Sequence, residues 1–199
     1  MKGLVRFSGW IDTLNEKVGS AMIWLVLLVT LISAGNAIVR KLFDISSNAM
    51  LEIQWYLFSA IFLLCAGYTL RKNAHVRIDV LTSHFSDRTR AWIDVIGTLL
   101  FLFPTTAVIM WLSWDVFVGA FHSGEMSSNA GGLILWPARL LVPVGFALLL
   151  LQGLSELIKR VAFLMGVIDK PVTGDQEISA EEALAENIRS IHGVKGIAE

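Results

Sequence analysis

The chain has 199 residues, of which 55% are hydrophobic and 17% charged, and its mean hydropathy is +0.64. A soluble domain of this size carries more charge and shorter apolar runs, so the composition indicates an integral membrane protein. The formal net charge of −1 gives no reason to expect a nucleic-acid partner. The single cysteine, Cys65, lies in an apolar run and cannot form an intrachain disulfide.

Residues 1–17 form an N-terminal arm whose apolar residues recur at the spacing of one helix face. These residues are Leu4, Phe7, Ile11 and Leu14, and Val18, the first residue of the following apolar run, continues the series. Trp10 flanks them, where its amphipathic ring suits a membrane interface. The spacing predicts an amphipathic helix that lies in the interface and leads into the first span, with a plain extension of that span as the equal alternative.

Four apolar runs follow, at about residues 18–39, 49–70, 91–118 and 133–165. Each reaches the roughly 20 residues that cross a roughly 30 Å hydrocarbon core as a helix. Because lipid offers the backbone no hydrogen-bond partners, these runs must be helical. We therefore predict an all-α integral membrane protein with a four-helix transmembrane domain at residues 18–165. Its first run is too long for a cleaved signal peptide.

The basic residues predict how these spans are oriented. Thirteen of the 16 Lys and Arg residues fall in the N-terminal arm, in the loop after the second span, and in the tail together with the end of the fourth span. Four spans place these three regions on the same side of the membrane. Since Lys and Arg concentrate on the cytoplasmic side, both termini are predicted to be cytoplasmic.

Residues 166–199 form a polar tail beyond the last span. Pro171 and Gly174 end any continuing helix. The sequence SAEE at residues 179–182 has the pattern of a capping box, which predicts a short helix that ends near Ile191.

Two prolines are expected to distort the last two spans. Pro104 lies midway through the third span, and the hydroxyls of Thr105 and Thr106 can bond carbonyls that it frees. Pro143 is expected to bend the fourth span one to two turns after Trp136.

Few polar groups fall inside the spans. Glu52 opens the second span, either as an interfacial cap or as a contact to a partner subunit. Asp94 and Asp115 are expected at the two ends of the third span, near the cytoplasmic and outer faces. Asn36, Gln54 and Gln152 can hydrogen-bond between helices. None of the spans carries the mid-depth chain of ionisable groups that a proton or ion pathway uses, so no transport path is predicted within this chain.

No pattern in the chain predicts an enzyme. Nucleophile-elbow, zincin, CxxC and phosphate-loop motifs are absent from the sequence. The four histidines are His75, His84, His122 and His192, all in loops or in the tail, whereas membrane haem needs histidines within the spans. We therefore predict no catalytic residue, no metal site and no cofactor in this chain.

Three stretches resemble one transporter family. They are LEIQWYLFSAIFLLCAGYTLRKNAHVRIDVL at residues 51–81, GEMS at 124–127 and WPARLLVPVGFALLLLQGLSELIKR at 136–160. In this order, over roughly residues 15–165, they are similar to the small, DctQ-type permease subunit of tripartite ATP-independent periplasmic (TRAP) transporters. The N-terminal arm and the tail lie outside the resemblance.

The resemblance implies a multi-pass protein of the bacterial inner membrane. It implies a subunit that packs against a large membrane subunit and enlarges its static scaffold. The large subunit is expected to hold the substrate and sodium sites, and a periplasmic solute-binding protein is expected to deliver an organic acid or related solute. Transport would use an ion gradient, and this chain would bind neither solute nor cofactor.

If this chain is such a scaffold, its polar and aromatic residues near the membrane faces are candidates for orientation and subunit contact. They are Arg40, Glu52, Trp55, Arg71, His75, Arg77, Asp79, Glu125, Ser127, Trp136, Arg139 and Pro143. Two other classes stay open as alternatives. A stand-alone four-span channel or exporter needs polar stripes along its spans, and a redox membrane subunit needs cofactor ligands within the membrane.

Overall fold

The computed structural model describes residues 2–44, 47–72 and 85–168. These residues form five α-helices and one π-helical turn. The helices are α1 (Lys2–Phe43), α2 (Asn48–Arg71), α3 (Asp87–Gly97), α4 (Phe103–Ser123) and α5 (Trp136–Leu164), and the π-helical turn Thr98–Leu102 joins α3 to α4. Within the described residues there is no β-strand, only an isolated antiparallel bridge between Met126 and Ile134.

Four helical segments are long and apolar enough to cross a membrane, which confirms the prediction of an all-α chain with four spans. They are Gly3–Phe43, Asn48–Arg71, Asp87–Ser123 and Trp136–Leu164. The first three extend beyond the apolar runs predicted for them. The fourth begins after residues 133–135, which lie in the loop that precedes α5. The helices and the apolar runs differ because helical hydrogen bonding continues past the apolar stretch, whereas hydropathy marks only that stretch.

The N-terminal arm continues directly into the first span, with no helix break at the boundary predicted near residue 17. Its buried face consists of Ser8, Ile11 and Asn15, whereas the apolar side chains of Leu4 and Phe7 are about half exposed. The arm therefore packs with a largely polar face toward the bundle. A plain extension of the span agrees with the continuous helix, and a position in the membrane interface stays a prediction.

The interruption expected at Pro104 takes the form of the π-helical turn just before it. The backbone N–H of Phe103 donates to the carbonyl of Thr98, five residues back, and Pro104 follows in the first turn of α4. The Thr106 hydroxyl donates to the carbonyls of Leu102 and Phe103, at 2.6 and 3.1 Å. The carbonyl that Pro104 leaves without its helical donor is that of Leu100, so the Thr106 hydroxyl adds bonds at the start of α4 and does not replace the bond that proline lacks.

α5 is the central helix, since it packs against α1, α2, α3 and α4. Glycines let it approach its neighbours closely. A Cβ on Gly145 would lie 2.8 Å from the Cβ of Leu63 on α2, and a Cβ on Gly153 would lie 2.6 Å from a methyl carbon of Leu102. Close backbone approach of this kind favours helix association in membranes, because van der Waals packing drives that association where the hydrophobic effect does not.

The surface of the bundle is apolar. Large side chains with more than two thirds of their area exposed include Trp24, Trp55, Phe62, Phe101 and Trp111. The buried hydrophobic residues are mostly small, and Ile11 is the largest fully buried side chain. Large apolar side chains on the surface and small ones inside suit a bundle that is surrounded by lipid or by another membrane protein.

Candidate functional site

A charged cluster lies between the first half of α1 and the last half of α5, at the end of the bundle opposite the loop of residues 124–135. We define it by the residues that bond to one another there. They are Ser8, Asp12 and Asn15 of α1, Asp94 of α3, and Gln152, Ser155, Glu156, Lys159 and Arg160 of α5.

Helical spacing on two elements brings these groups together. On α5, Gln152, Ser155, Glu156 and Lys159 follow the spacing i, i+3, i+4, i+7, so they share one face. On α1, Ser8, Asp12 and Asn15 follow the spacing i, i+4, i+7. Each helix therefore presents a polar stripe, and the two stripes face each other.

Lys159 is the cation at the centre of the cluster, with only 7% of its side chain exposed. Its ammonium group lies 3.1 Å from the Asp12 carboxylate and 2.5 Å from that of Glu156. Asp12 also accepts hydrogen bonds from the Ser155 hydroxyl at 2.7 Å and from the Gln152 amide at 2.8 Å. Lys159 thus joins α1 to α5 through a carboxylate whose Oδ1 also accepts hydrogen bonds from two side chains of α5.

Arg160 extends the cluster to α3. Its guanidinium lies 2.8 Å from the Asp94 carboxylate and 2.5 Å from that of Glu156, which it shares with Lys159. Glu156 therefore stands between two cations on its own helix, and its side chain is only 5% exposed. A buried carboxylate needs cationic partners, because the desolvation of an unpaired charge is unfavourable by several kcal/mol.

The uncharged members of the cluster fix the spacing between α1 and α5. The hydroxyls of Ser8 and Ser155 lie 2.7 Å apart, and the amide of Asn15 donates to the Oε1 of Gln152 at 3.0 Å. The Oδ1 of Asn15 has no hydrogen-bond partner and abuts the Cα of Gly67 on α2. A weak Cα–H contact at a glycine is the interaction this geometry permits.

The charged cluster joins the helices through ion pairs and hydrogen bonds. Asp12, Glu156 and Asp94 all face Lys or Arg side chains, so their oxygens are engaged. Across residues 2–44, 47–72 and 85–168, no group of three His, Cys, Asp or Glu side chains is placed to hold a metal ion. The cluster has the composition of a structural ion-pair network that joins α1, α3 and α5.

A second polar group, which we call the loop cluster, ties the loop of residues 124–135 to α2. Its members are Asn48, Glu52, Tyr56, Glu125, Ser127, Asn129, Leu133 and Arg139, together with the carbonyls of Ala130 and Ile134.

Glu52 organises the loop cluster. Its carboxylate accepts a hydrogen bond from the Ser127 hydroxyl, one from the Asn129 amide at 2.9 Å and one from the Leu133 backbone N–H at 2.6 Å. Three donors from one loop thus converge on a single side chain, which lets a helix hold a segment without regular structure. The Tyr56 hydroxyl, one turn further along α2, donates to the Ile134 carbonyl at 2.9 Å.

Arg139 and Glu125 form the other charged element of the loop cluster. The two guanidinium nitrogens lie 2.5 and 2.6 Å from the two carboxylate oxygens, which is a bidentate arrangement. Because Glu125 lies at the start of the loop and Arg139 follows its end in α5, the pair closes the loop at its base. Both side chains are partly exposed, at 42% and 31%.

The structure thus brings together four of the predicted residues, pairing Glu52 with Ser127 and Glu125 with Arg139. Arg71 instead pairs with Glu16 of α1 at 2.7 Å, at the opposite end of the bundle. The other predicted residues within the described part of the chain make no polar side-chain contact there. They are Arg40, Trp55, Trp136 and Pro143. Trp136 stacks edge-on against Phe121, with ring centroids 5.5 Å apart.

Three predicted residues, His75, Arg77 and Asp79, lie outside the described residues, as does the polar tail from residue 169. Their roles stay predictions.

Most of the charged cluster was missed from the sequence, although Gln152 was expected to bond between helices and does so. The signal was present in the two polar stripes at helical spacing, one before the first apolar run and one at the end of the fourth. On α1 the sequence places Asp12 and Asn15 away from the apolar stripe, and the large side chains of Leu4 and Phe7 favour the apolar face as the one that packs. The structure buries Ser8 and Asn15 and leaves Leu4 and Phe7 about half exposed.

Comparison with known proteins gives one finding. Residues 29–163 match the family described as "Tripartite ATP-independent periplasmic transporters, DctQ component". No curated protein and no solved structure gives a significant match to the chain.

Proposed function

Because the chain belongs to the DctQ family, the small membrane component of tripartite ATP-independent periplasmic transporters, we propose that it packs as a static scaffold against the large membrane subunit. The match covers most of the chain, including all of α2 to α4 and nearly all of α5. The resemblance of residues 51–81, 124–127 and 136–160 pointed to the same family.

The observation that supports a scaffold is how the chain uses its polar groups. In both clusters the charged groups of the described residues bond to other groups of the same chain, while the surface consists of large apolar side chains. A protein of this type is rigid inside and offers an apolar face to other membrane helices.

In this proposal the substrate and coupling-ion sites belong to the large subunit, and a periplasmic solute-binding protein supplies the solute, an organic acid or a related compound. A gradient of ions such as sodium drives uptake, in agreement with the absence of a nucleotide-binding motif from the sequence. The small subunit carries no cofactor and no catalytic residue.

We further propose that the protein lies in the bacterial inner membrane with the charged cluster at the cytoplasmic side and the loop of residues 124–135 at the periplasmic side. The distribution of Lys and Arg supports this orientation. Arg71, which pairs with Glu16, and Arg160, which pairs with Asp94, lie at the cytoplasmic side in this arrangement.

The residues predicted for subunit contact divide into two groups under this proposal. Glu52, Glu125, Ser127 and Arg139 shape the loop surface through bonds within the chain, so they would act by presenting that loop to a partner. Exposed Arg40 and Trp55 are free to contact a partner directly, and His75, Arg77 and Asp79 are proposed to do so from the loop after α2.

Co-expression with the large membrane subunit tests the scaffold role. We expect the tagged chain to co-purify with that subunit, and a strain lacking the chain to lose solute uptake although the isolated chain binds no solute. Arg77→Glu should lower complex yield or uptake. Micromolar binding of solute to the isolated chain would contradict the scaffold role, and solute flux into liposomes that contain this chain alone would favour a channel or exporter instead.

A further inference from the structure

Asp115 lies in an apolar groove between α4 and α5. The groove has a volume of about 450 Å³ and is lined by Trp111 and Trp114 on one side and by Pro143 and Val144 on the other. Asp115 itself is exposed. It is the single ionisable side chain in a lining that is otherwise hydrophobic.

Asp115 lies inside α4, about two turns from the loop end of the bundle. The groove sets Asp115 opposite Pro143. Asp115 comes eight residues before Ser123, the last residue of α4, and Pro143 comes seven residues after Trp136, the first residue of α5. At 1.5 Å per residue, that level is about 10–12 Å from the loop end of both helices.

The Asp115 carboxylate has no partner within this chain's described part. Neither an ion pair nor a hydrogen bond involves it across residues 2–44, 47–72 and 85–168. Two other carboxylates of the bundle, Asp94 of α3 and Glu156 of α5, are both paired with Arg160. An ionisable residue within a membrane span normally pairs with another group, because hydrocarbon solvates a charge poorly.

We propose that this groove receives a transmembrane helix of the large membrane subunit that presents a lysine or arginine to Asp115. The proposal rests on the proposed function and adds to it the face of contact and the chemistry of the partner. The cation would meet the carboxylate, and the exposed ring of Trp111 beside it offers a cation–π surface. Charge complementarity in an apolar setting fixes the register of two helices more sharply than apolar contact alone.

Two other occupants fit these observations less well. A lipid acyl chain fills a groove of this kind, but it carries no cation to meet the carboxylate, and a headgroup at the membrane surface would have to reach about two helical turns below the loop end of α4. A second copy of this chain that docked by the same face would bring two Asp115 carboxylates together, since a two-fold interface apposes identical surfaces. Two adjacent like charges oppose such a contact.

Crosslinking combined with substitution tests the proposal in the complete transporter. The photoreactive amino acid p-benzoylphenylalanine is placed at Trp111 in the groove, or at Trp24 on α1, which is matched in exposure at 72% against 74%. The chain is co-expressed with the tagged large subunit. We expect an adduct with the large subunit from position 111.

The charge is tested by Asp115→Asn and Asp115→Lys, which change an exposed side chain and leave the packing of the bundle intact. Both should reduce the large subunit recovered with the chain by about tenfold or more, because removing one member of a buried charge pair is costly. Asp87→Asn, the same change at the exposed start of α3, should leave recovery unchanged.

Each contrary outcome identifies a separate failure. Adducts from position 24 but not from 111, with the native complex intact, would place the partner on another face and overturn this inference while the scaffold role stands. A 111 adduct with a second copy of the chain or with lipid alone would overturn it as well, and so would full recovery with Asp115→Lys. If the native chain fails to recover the large subunit at all, the scaffold role fails and the groove proposal falls with it.

Discussion

Replacing Lys159 with methionine removes the cation that joins α1 to α5 without removing its aliphatic volume. Glu156 would keep Arg160 as its partner, 2.5 Å away. Asp12 would keep hydrogen bonds from Ser155 and Gln152 but would lose its ion-pair partner while only 16% exposed. Removing one partner of a buried ion pair lowers the free energy of unfolding by about 3–5 kcal/mol.

Because the two hydrogen bonds to Asp12 remain, we expect the low end of that range, a loss of about 3 kcal/mol in the free energy of unfolding. The assay is SDS-induced unfolding of the isolated chain in mixed micelles, followed by the fluorescence of its seven tryptophans. Lys17→Met makes the same chemical change at an exposed position of α1 and should stay within about 0.5 kcal/mol of the native value.

A double-mutant cycle separates lost charge pairing from lost packing. Asp12→Asn in the Lys159→Met background removes the stranded charge, so the double variant should be more stable than Lys159→Met alone, with a coupling energy of about 1–3 kcal/mol. If Lys159→Met unfolds like the native chain, or if Asp12→Asn restores nothing, then the ion pair does not hold α1 against α5.

Two further predictions concern helix approach and the loop. Gly67→Ala should destabilise the isolated chain by about 1–3 kcal/mol, because its Cβ would collide with the Oδ1 of Asn15. Gly35→Ala, which has open space around it, should change stability by no more than about 1 kcal/mol, and equal effects at the two sites would refute the close approach. Glu52→Ala removes the acceptor for the Leu133 N–H, so that amide should exchange with deuterium faster than in the native chain, while unchanged exchange would show that the loop holds itself.

The four spans and the family were predictable because both depend on contiguous sequence. An apolar run of sufficient length must be helical in lipid wherever it occurs, and the motifs that carry the resemblance are each uninterrupted. An interruption near Pro104 was predictable for the same local reason, since proline lacks a donor, but the Thr106 hydroxyl bonds the carbonyls of Leu102 and Phe103 and not the one that proline frees.

The partners of the polar residues were not predictable in this way. Gln152 was expected to bond between helices, but that its partners are Asp12 and Asn15, about 140 positions earlier, depends on which faces of α1 and α5 meet. For Glu52 the sequence predicts an interfacial cap or a partner contact, and in the structure its carboxylate accepts hydrogen bonds from Ser127, Asn129 and Leu133 of the same chain.

By itself the sequence determined that this protein is a four-span, DctQ-type membrane subunit, because span length and hydropathy are properties of each segment alone. Tertiary structure decided which charges are paired. Lys159 and Asp115 are both ionisable residues near apolar runs, yet only the register of α5 against its neighbours gives Lys159 two carboxylates and leaves Asp115 facing an apolar groove. Pairing is set by relations between helices, and the sequence of a single helix does not contain it.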